Sequence, residues 1–588
     1  MKQKLRKTLS LLLIFILVGV CGCNQPNVAN VITEQARFDE YLDELFAEMA
    51  STDTLTLNYT IKDPTLYDIT VPAPTLGNYS IKSIQDNFHR ESEYLKRLPT
   101  FRYDYLSKEQ QLSYDIIKDT FELELKYADY LLYDEVLGPT TGLHAQLPIL
   151  LAEYKFNSVK DIDDYLELLK DLPRYFKQVC RFEQQKSKAG LFMSNGVAYD
   201  VVEQCNSFIQ DPDNNFLITY FNEKLLSLTF LTPPQKTEYI ATNEKYIKEY
   251  VIPAYQTLSE NLESLIDTGT NKGGLCYYKH GKEYYQYLVS HETGSHRSMP
   301  ELVALIENGL TSSMIDIATR VQIDPSVIEK VDSYQYIETQ PEKILPYLKS
   351  QIAKDFPALP DVNCSIKYVH KSLQDYLSPA MYLIPQIDNY KDNSIYINNK
   401  PENDLSEIFT TIAHEGYPGH LYQNVYFRSK NIHPIRNMLT CLGYEEGWAT
   451  YAEAYSYSIA GLDPSVAIIL KDNLIATLCI YSRADIGIHY EDWDYTMTEN
   501  YISKYFSQDA CPVIYDTLLK EPALYLPYCV GYLEIEDLKN TAQTLLGDDF
   551  ELKSFHEFLL DIGPANFKII EHHLNEWVQN KKNLSIPN

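Results

Sequence analysis

The sequence predicts a mainly α protein, two helical halves packed around a deep cleft, with a small β element at the cleft edge. Three observations carry that expectation. Apolar residues recur at three- and four-residue spacing with acidic residues between them, as in Gln110 to Leu132 and Val159 to Phe176, the pattern of helices that bury one face. Prolines at Pro64, Pro72, Pro74, Pro139 and the Pro233, Pro234 pair punctuate such segments, with no long Gly/Ser linker and no fixed-period repeat. Alternating β-like runs are few, the clearest being Ser394 to Asn398.

The N-terminus indicates the compartment. Lys2, Lys4, Arg6 and Lys7 precede an apolar run from Leu9 to Val20 that ends at Cys21, Gly22, Cys23. A basic flank, a run too short to span a bilayer and small residues at its end predict an export signal over 1–22. The small residues before Cys23 resemble the bacterial lipobox, in which that cysteine is diacylated and begins the mature chain. Cys21 is an alternative, and the polar Asn24 and Gln25 favour Cys23. The expectation is a lipoprotein on the outer side of the cytoplasmic membrane, or facing the periplasm where an outer membrane exists, held by its lipid anchor alone. A plain cleaved signal or a single anchor helix is the competing reading.

Beyond the signal, 23–270 reads as one helical half and 271–588 as the other, parted by a loop at Asn271, Lys272, Gly273, Gly274, Leu275 but forming one continuous unit. The whole chain sets 51 Lys and Arg against 81 Asp and Glu, a formal charge of −30. That field repels a phosphate backbone and excludes a nucleic-acid binder working through a generally basic surface. Tyrosine is abundant, 49 against 22 Phe and 3 Trp, and a phenol serves a core or a cleft wall equally well. The body cysteines, from Cys180 to Cys529, are scattered without metal-ligand spacing. They predict buried thiols, with one or two disulfides open to an exported chain, and no cysteine-ligated zinc.

Chemistry concentrates in the second half. His414-Glu415-Gly-Tyr417-Pro418-Gly419-His420 follows an apolar helical lead from Leu405 to Ala413. It is similar to the HExxH helix of zinc peptidases, where histidines at i and i+4 share a face and the adjacent Glu is the general base. Here the histidines are further apart: at about 100° per residue the second would lie roughly 240° round an unbroken helix. Pro418 at the i+4 place cannot donate to His414 O, so a kink or bulge is expected, and only such a distortion lets both histidines face one metal. Incidental surface histidines are the competing reading. Glu446, within Tyr444-Glu-Glu-Gly-Trp-Ala-Thr-Tyr-Ala-Glu453, supplies the third candidate ligand. A carboxylate from a second helix completes two nitrogens and one oxygen and leaves a fourth position for water. Glu453, two turns further along the same stripe, can orient a ligand imidazole.

These motifs, with Arg483-Ala-Asp485-Ile-Gly487-Ile-His489 before Trp493, Leu526-Pro-Tyr528-Cys-Val-Gly531, and Ala380-Met-Tyr382-Leu-Ile-Pro385, together resemble the bacterial domain of unknown function family 885 over most of the mature chain. That family in turn resembles the helical zinc peptidases of the angiotensin-converting enzyme and thimet oligopeptidase type. The resemblance implies a zincin-like fold, one Zn2+ on His414, His420 and Glu446, and Glu415 as base. It implies short peptides as substrate. Tyr528, Tyr532 and His489 are then the expected donors to a developing oxyanion, and Glu453 and Asp485 the carboxylates behind the ligands. The chain departs from the family where a Gly-Gln-Ala-type run usually precedes the tyrosine; Tyr525, Leu526 and Pro527 stand there instead. The β-like run Ile395 to Asn398 is expected at the cleft edge, where an extended peptide can pair with it. His291-Glu-Thr-Gly-Ser-His296 is assigned to a loop, and His572 and His573 to a surface helix. The alternative to a peptidase is a non-catalytic lipoprotein that binds peptides or another ligand and has lost the metal.

Overall fold

A computed structural model describes residues 28–585 except 270, 272, 372, 373, 375, 376, 402 and 404. The signal segment 1–22 and Cys23 lie outside the described residues. Helices dominate, as the periodicity predicts. In the first half, α1 (Val28–Ala50), α2 (Lys108–Tyr127), α3 (Val159–Ala189), α4 (Asn195–Ile209) and α5 (Ile252–Leu265) are the main elements. Capping boxes open α2 at Ser107 with Gln110 and α3 at Ser158 with Asp161, each satisfying donors that a helix start leaves bare. The expected helix Gln110 to Leu132 ends at Tyr127, because the next residues fold back. The rings of Tyr127, Tyr130 and Tyr133 gather on Tyr284 at centroid distances of 6.4, 6.1 and 5.4 Å. The expected Val159 to Phe176 helix instead runs on to Ala189, where Gly190 at φ 73 supplies the left-handed cap.

The second half adds α6 (Gly281–Thr293) and α7 (Met299–Ile323), then a small sheet and further helices. The larger hydrophobic core draws on both sides of residue 270: Phe38, Tyr41, Leu42, Leu45 and Phe46 of α1 and Ile116, Ile117 and Phe121 of α2 join residues from Tyr285 to Val578. A second core is built by α3, α4 and α5, with Leu168, Leu172, Val201 and Leu258 fully buried. All eight cysteines from Cys180 to Cys529 are free thiols.

β1 (Asn363–Tyr368), β2 (Ala380–Leu383) and β3 (Asp392–Ile397) form the sheet in the order β1-β3-β2. β3 is parallel to β1 and antiparallel to β2. The run expected at the cleft edge is thus the middle strand, its backbone groups taken up on both sides, and β2 is the edge beside the histidine helix. Ile395 and Ile397 are fully buried on the core face, while Ser394 and Tyr396 line a cavity of about 880 Å³ on the other face.

Candidate metal centre

His414 sits in the last turn of α8 (Ile408–Glu415), and His420 opens α9 (His420–Ser429). Between them the helix breaks rather than bulges. Gly416 leaves helical geometry at φ −112 and ψ −104, and Pro418, after a cis Tyr417–Pro418 peptide, has no N–H to offer a helical carbonyl. Gly419 N–H donates to Ala413 O at 3.0 Å and Tyr422 N–H to Gly416 O at 3.1 Å, which holds the turn together. Position 419 admits glycine alone, since a Cβ there would stand 1.7 Å from His414 O. The turn over 416–419 absorbs the long spacing, and the imidazole centroids end 4.9 Å apart.

α10 (Leu442–Ser456) brings the carboxylates and α12 (Leu526–Leu546) brings Tyr528. The two helices touch through glycine: a Cβ on Gly447 would lie 2.4 Å from Gly531 C, and one on Gly531 2.0 Å from Gly443 O. Any side chain at this crossing would push Tyr528 away from Glu446. Trp448, wholly buried, donates its indole N–H to Pro418 O at 2.8 Å and pins the 416–419 turn to α10. Truncating this buried indole to alanine is expected to cost about 3–5 kcal/mol.

Glu446 Oε2 lies 3.5 Å from His414 Nε2 and 3.4 Å from His420 Nε2, and the three ligating atoms fall within 4.8 Å of one another. Four-coordinate zinc, with bonds of about 2.0–2.2 Å, sets its ligand atoms roughly 3.3–3.6 Å apart. Glu446 Oε2 is buried without a hydrogen-bond partner, a costly state for a carboxylate oxygen. On both counts the residues fit a divalent ion. Among the described residues no other three His, Cys, Asp or Glu side chains meet this spacing.

Glu453 reaches the other ring nitrogen, its Oε2 3.2 Å from His414 Nδ1, and so turns Nε2 toward Glu446. Burial opposes a charge on His414, yet Glu446 and Glu453 at its two nitrogens, with Glu415 nearby, hold its pKa well above the ordinary value. Burial likewise pushes Glu446 up, and the imidazoles of His414 and His420 outweigh it, holding that carboxyl well below the usual range. Glu415 Oε2 accepts the backbone N–H of Tyr382, on β2, at 2.8 Å. The Tyr528 ring stacks on His414 at 6.2 Å and 23°. Burial, then the charges of Glu446 and Glu415, push its hydroxyl well above the ordinary phenol value, so it remains a hydrogen-bond donor at neutral pH.

Three expected site residues stand elsewhere. His489, on α11 (Pro464–Tyr490), accepts Leu275 N–H at Nδ1, 3.1 Å, and donates from Nε2 to Leu518 O, 2.8 Å. With both nitrogens spent on backbone, it ties Leu275 and Leu518 to α11 and cannot serve an oxyanion. Asp485, wholly buried, accepts Tyr285 O–H and Ala523 N–H, so it ties α6 and the turn before α12 to α11 rather than supporting a ligand. Tyr532 is buried in the larger core, where the charges acting on its phenol are those of Glu536 and Asp472. α11 is long and apolar enough to cross a bilayer, but it is a core helix with Asp472, Arg483, Asp485 and His489 all buried.

Burial lowers the His489 pKa to about 4, below the unfolded value of about 6.5. As pH falls through that window the unfolded chain gains a proton that the folded chain refuses, so stability drops. Compared with His489→Gln, the wild type loses up to about 3 kcal/mol more between pH 6.5 and pH 4. Denaturant unfolding of both proteins across that range measures the difference.

Some contributors carry no residue-type signal. The Tyr382 N–H that holds Glu415 is backbone, and the Trp448 tie could be sensed only as an unexpected indole beside charge. Glu445, next to Glu446, is pushed up to about 7, chiefly by burial. The His291 to His296 cluster straddles the end of α6, with His291 in its last turn between Glu124 at 3.1 Å and Glu292 at 2.9 Å, and His296 beyond it against Asp119 at 3.0 Å.

The sequence profile of a family described as bacterial protein of unknown function, DUF885, matches residues 68–574. No curated protein matches the chain. Among solved structures, a candidate lipoprotein from Colwellia psychrerythraea superposes with a TM-score of 0.80 at 17% identity, covering 93% of this chain and 100% of that one. A candidate lipoprotein of unknown function from Shewanella oneidensis gives a TM-score of 0.61 at 14% identity, covering 94% and 100%. A candidate oligoendopeptidase F from Bacillus anthracis, at 11% identity over 88% and 98%, gives a TM-score of 0.30, too low to indicate a common fold. The first two establish the fold and nothing further.

Proposed function

The chain belongs to DUF885, a family of bacterial proteins of unknown function, and we propose that it is a zinc-dependent peptidase acting on short peptides outside the cytoplasmic membrane. The reading rests on one observation: His414, His420 and Glu446 turn their ligating atoms to one point, with Glu415 alongside. These three residues would hold the ion, and when bound it supplies a polarising positive charge and a water acidic enough to ionise near neutral pH.

The chain's own residues account for the rest. Glu453 holds His414 Nδ1, so the ring presents Nε2 to the ion. Glu415, steadied at Oε2 by Tyr382 N–H, takes a proton from the attacking water on its other oxygen and returns it to the departing amine. Tyr528 donates to the carbonyl oxygen as it gains charge. An extended peptide would pass beside β2 at Glu415 without adding a full strand there, since Glu415 already accepts the outward Tyr382 N–H and the Ser378 hydroxyl already donates to the outward Ala380 O. The lipid anchor at Cys23 would hold this site outside the membrane, in keeping with two structural neighbours described as candidate lipoproteins.

Tyr528→Phe removes one oxyanion donor, which lowers kcat about 10²–10³-fold with little change in KM. Tyr532→Phe leaves both constants unchanged, since that residue is buried in the larger core. Steady-state kinetics on a peptide substrate drawn from a library distinguish the two. Equal effects of the two variants would remove Tyr528 from the reaction.

A further inference from the structure

A cavity of about 410 Å³ adjoins the candidate metal centre. Leu442, one turn before Glu446 on α10, and Tyr528 both line it, so it opens on the Tyr528 side of the ligands. Its far wall comes from the first half of the chain and from α6.

The lining chemistry is specific. Four carboxylates line the cavity, Asp134, Glu135, Glu292 and Glu521, against one ammonium, Lys520. Lys520 is already held by Asp200 and Asp516, each at 2.6 Å. Glu135 is offset by Lys186 at 3.0 Å, Glu292 contacts His291 at 2.9 Å, and Glu521 accepts Thr140 N–H at 2.6 Å. The excess negative charge is not simply the general acidity of the chain. The 880 Å³ cavity behind the sheet balances Glu153, Glu223 and Asp392 with Lys155, Lys224 and Lys367.

A second observation points to a ligand. Tyr284 is 5% exposed and lines the cavity, near Asp134, Glu135 and Glu292. Its hydroxyl has no hydrogen-bond partner among the described residues. A buried phenol normally finds one. Tyr133 and Tyr528 add aromatic surface, and an ammonium or guanidinium is attracted both to such rings and to carboxylates between them.

We propose that this cavity is the subsite that receives a cationic group of the substrate, a lysine or arginine side chain or a peptide N-terminal ammonium. The proposal deepens the peptidase reading and rests on it for the word substrate, but the cavity's preference for cations can be tested without catalysis.

The test uses the full chain and an Asp134→Asn/Glu292→Gln double variant, whose amides keep the acceptors that Tyr79 O–H and the His291 ring meet. Binding of a short lysine peptide and of its norleucine counterpart is measured by calorimetry, each with a free and an acetylated N-terminus, and hydrolysis is followed on the same peptides. Wild type is expected to bind the lysine or the free-amine form at least about tenfold more tightly than its neutral counterpart, and the arm that shows the preference identifies the cationic source. The variant should lose that preference, with an unchanged melting temperature. No preference in the wild type, or the same preference in the variant, overturns the subsite whatever the hydrolysis. A variant-sensitive preference without hydrolysis upholds the subsite and overturns the peptidase reading. Should the double variant fail to fold, Glu292→Gln alone is read in the same way.

Discussion

Glu415→Gln leaves a folded, metal-binding chain whose hydrolysis is reduced by roughly 10²–10⁴-fold. The substitution is close to isosteric, and the amide oxygen still accepts Tyr382 N–H as Oε2 does. Residue 415 ends α8, so neither helix nor strand needs to move. What disappears is the ability to take a proton from water, and a neutral amide cannot replace a carboxylate in that role. Turnover and metal content measured on one sample separate the two properties. A variant that hydrolyses at the wild-type rate would remove Glu415 from the mechanism.

His420→Ala abolishes zinc binding. His420 is the first residue of α9 and its imidazole projects toward Glu446, so truncation deletes a ligand atom without disturbing a helix interior. Partners behind a ligand are worth about 10–100-fold in metal affinity, and loss of the ligand itself exceeds that. Zinc at a hundred times its Kd stabilises a binding-competent chain by about 2.7 kcal/mol. Calorimetric unfolding with and without zinc should reveal that gain in the wild type and none in His420→Ala. An equal gain in both would mean that the ion sits elsewhere.

The helical fold was legible because side chains encode it: the α1 stripe of Phe38, Tyr41, Leu42, Leu45 and Phe46 is a buried helix face. The cluster of His414, His420 and Glu446 was legible for a similar reason, since two imidazoles and a carboxylate on separate helices are few in kind. How the spacing is absorbed was not, because the answer lies in backbone: Gly419 against His414 O, and the Tyr382 N–H on Glu415. The alternation at Ser394 to Asn398 announced a strand but not its place in the sheet, which pairing decides. His489 misled because the residue type is the same for a catalytic imidazole and a structural tie, and only its two backbone partners tell them apart. Tyr532 misled by nearness in sequence to Tyr528, which does face the centre, and Asp485 by sharing a motif with His489.

The claim on which all of this depends is that His414, His420 and Glu446 form a metal site. It is tested most directly by the zinc content of the purified full chain after dialysis, beside a His414→Ala/His420→Ala variant. The expected result is about one zinc per wild-type chain and less than about 0.1 in the variant, as for a single site built on these ligands. Equal zinc in the two proteins, or none in the wild type at saturating metal, would contradict the account and favour the alternative of a non-catalytic chain that binds peptides or another ligand.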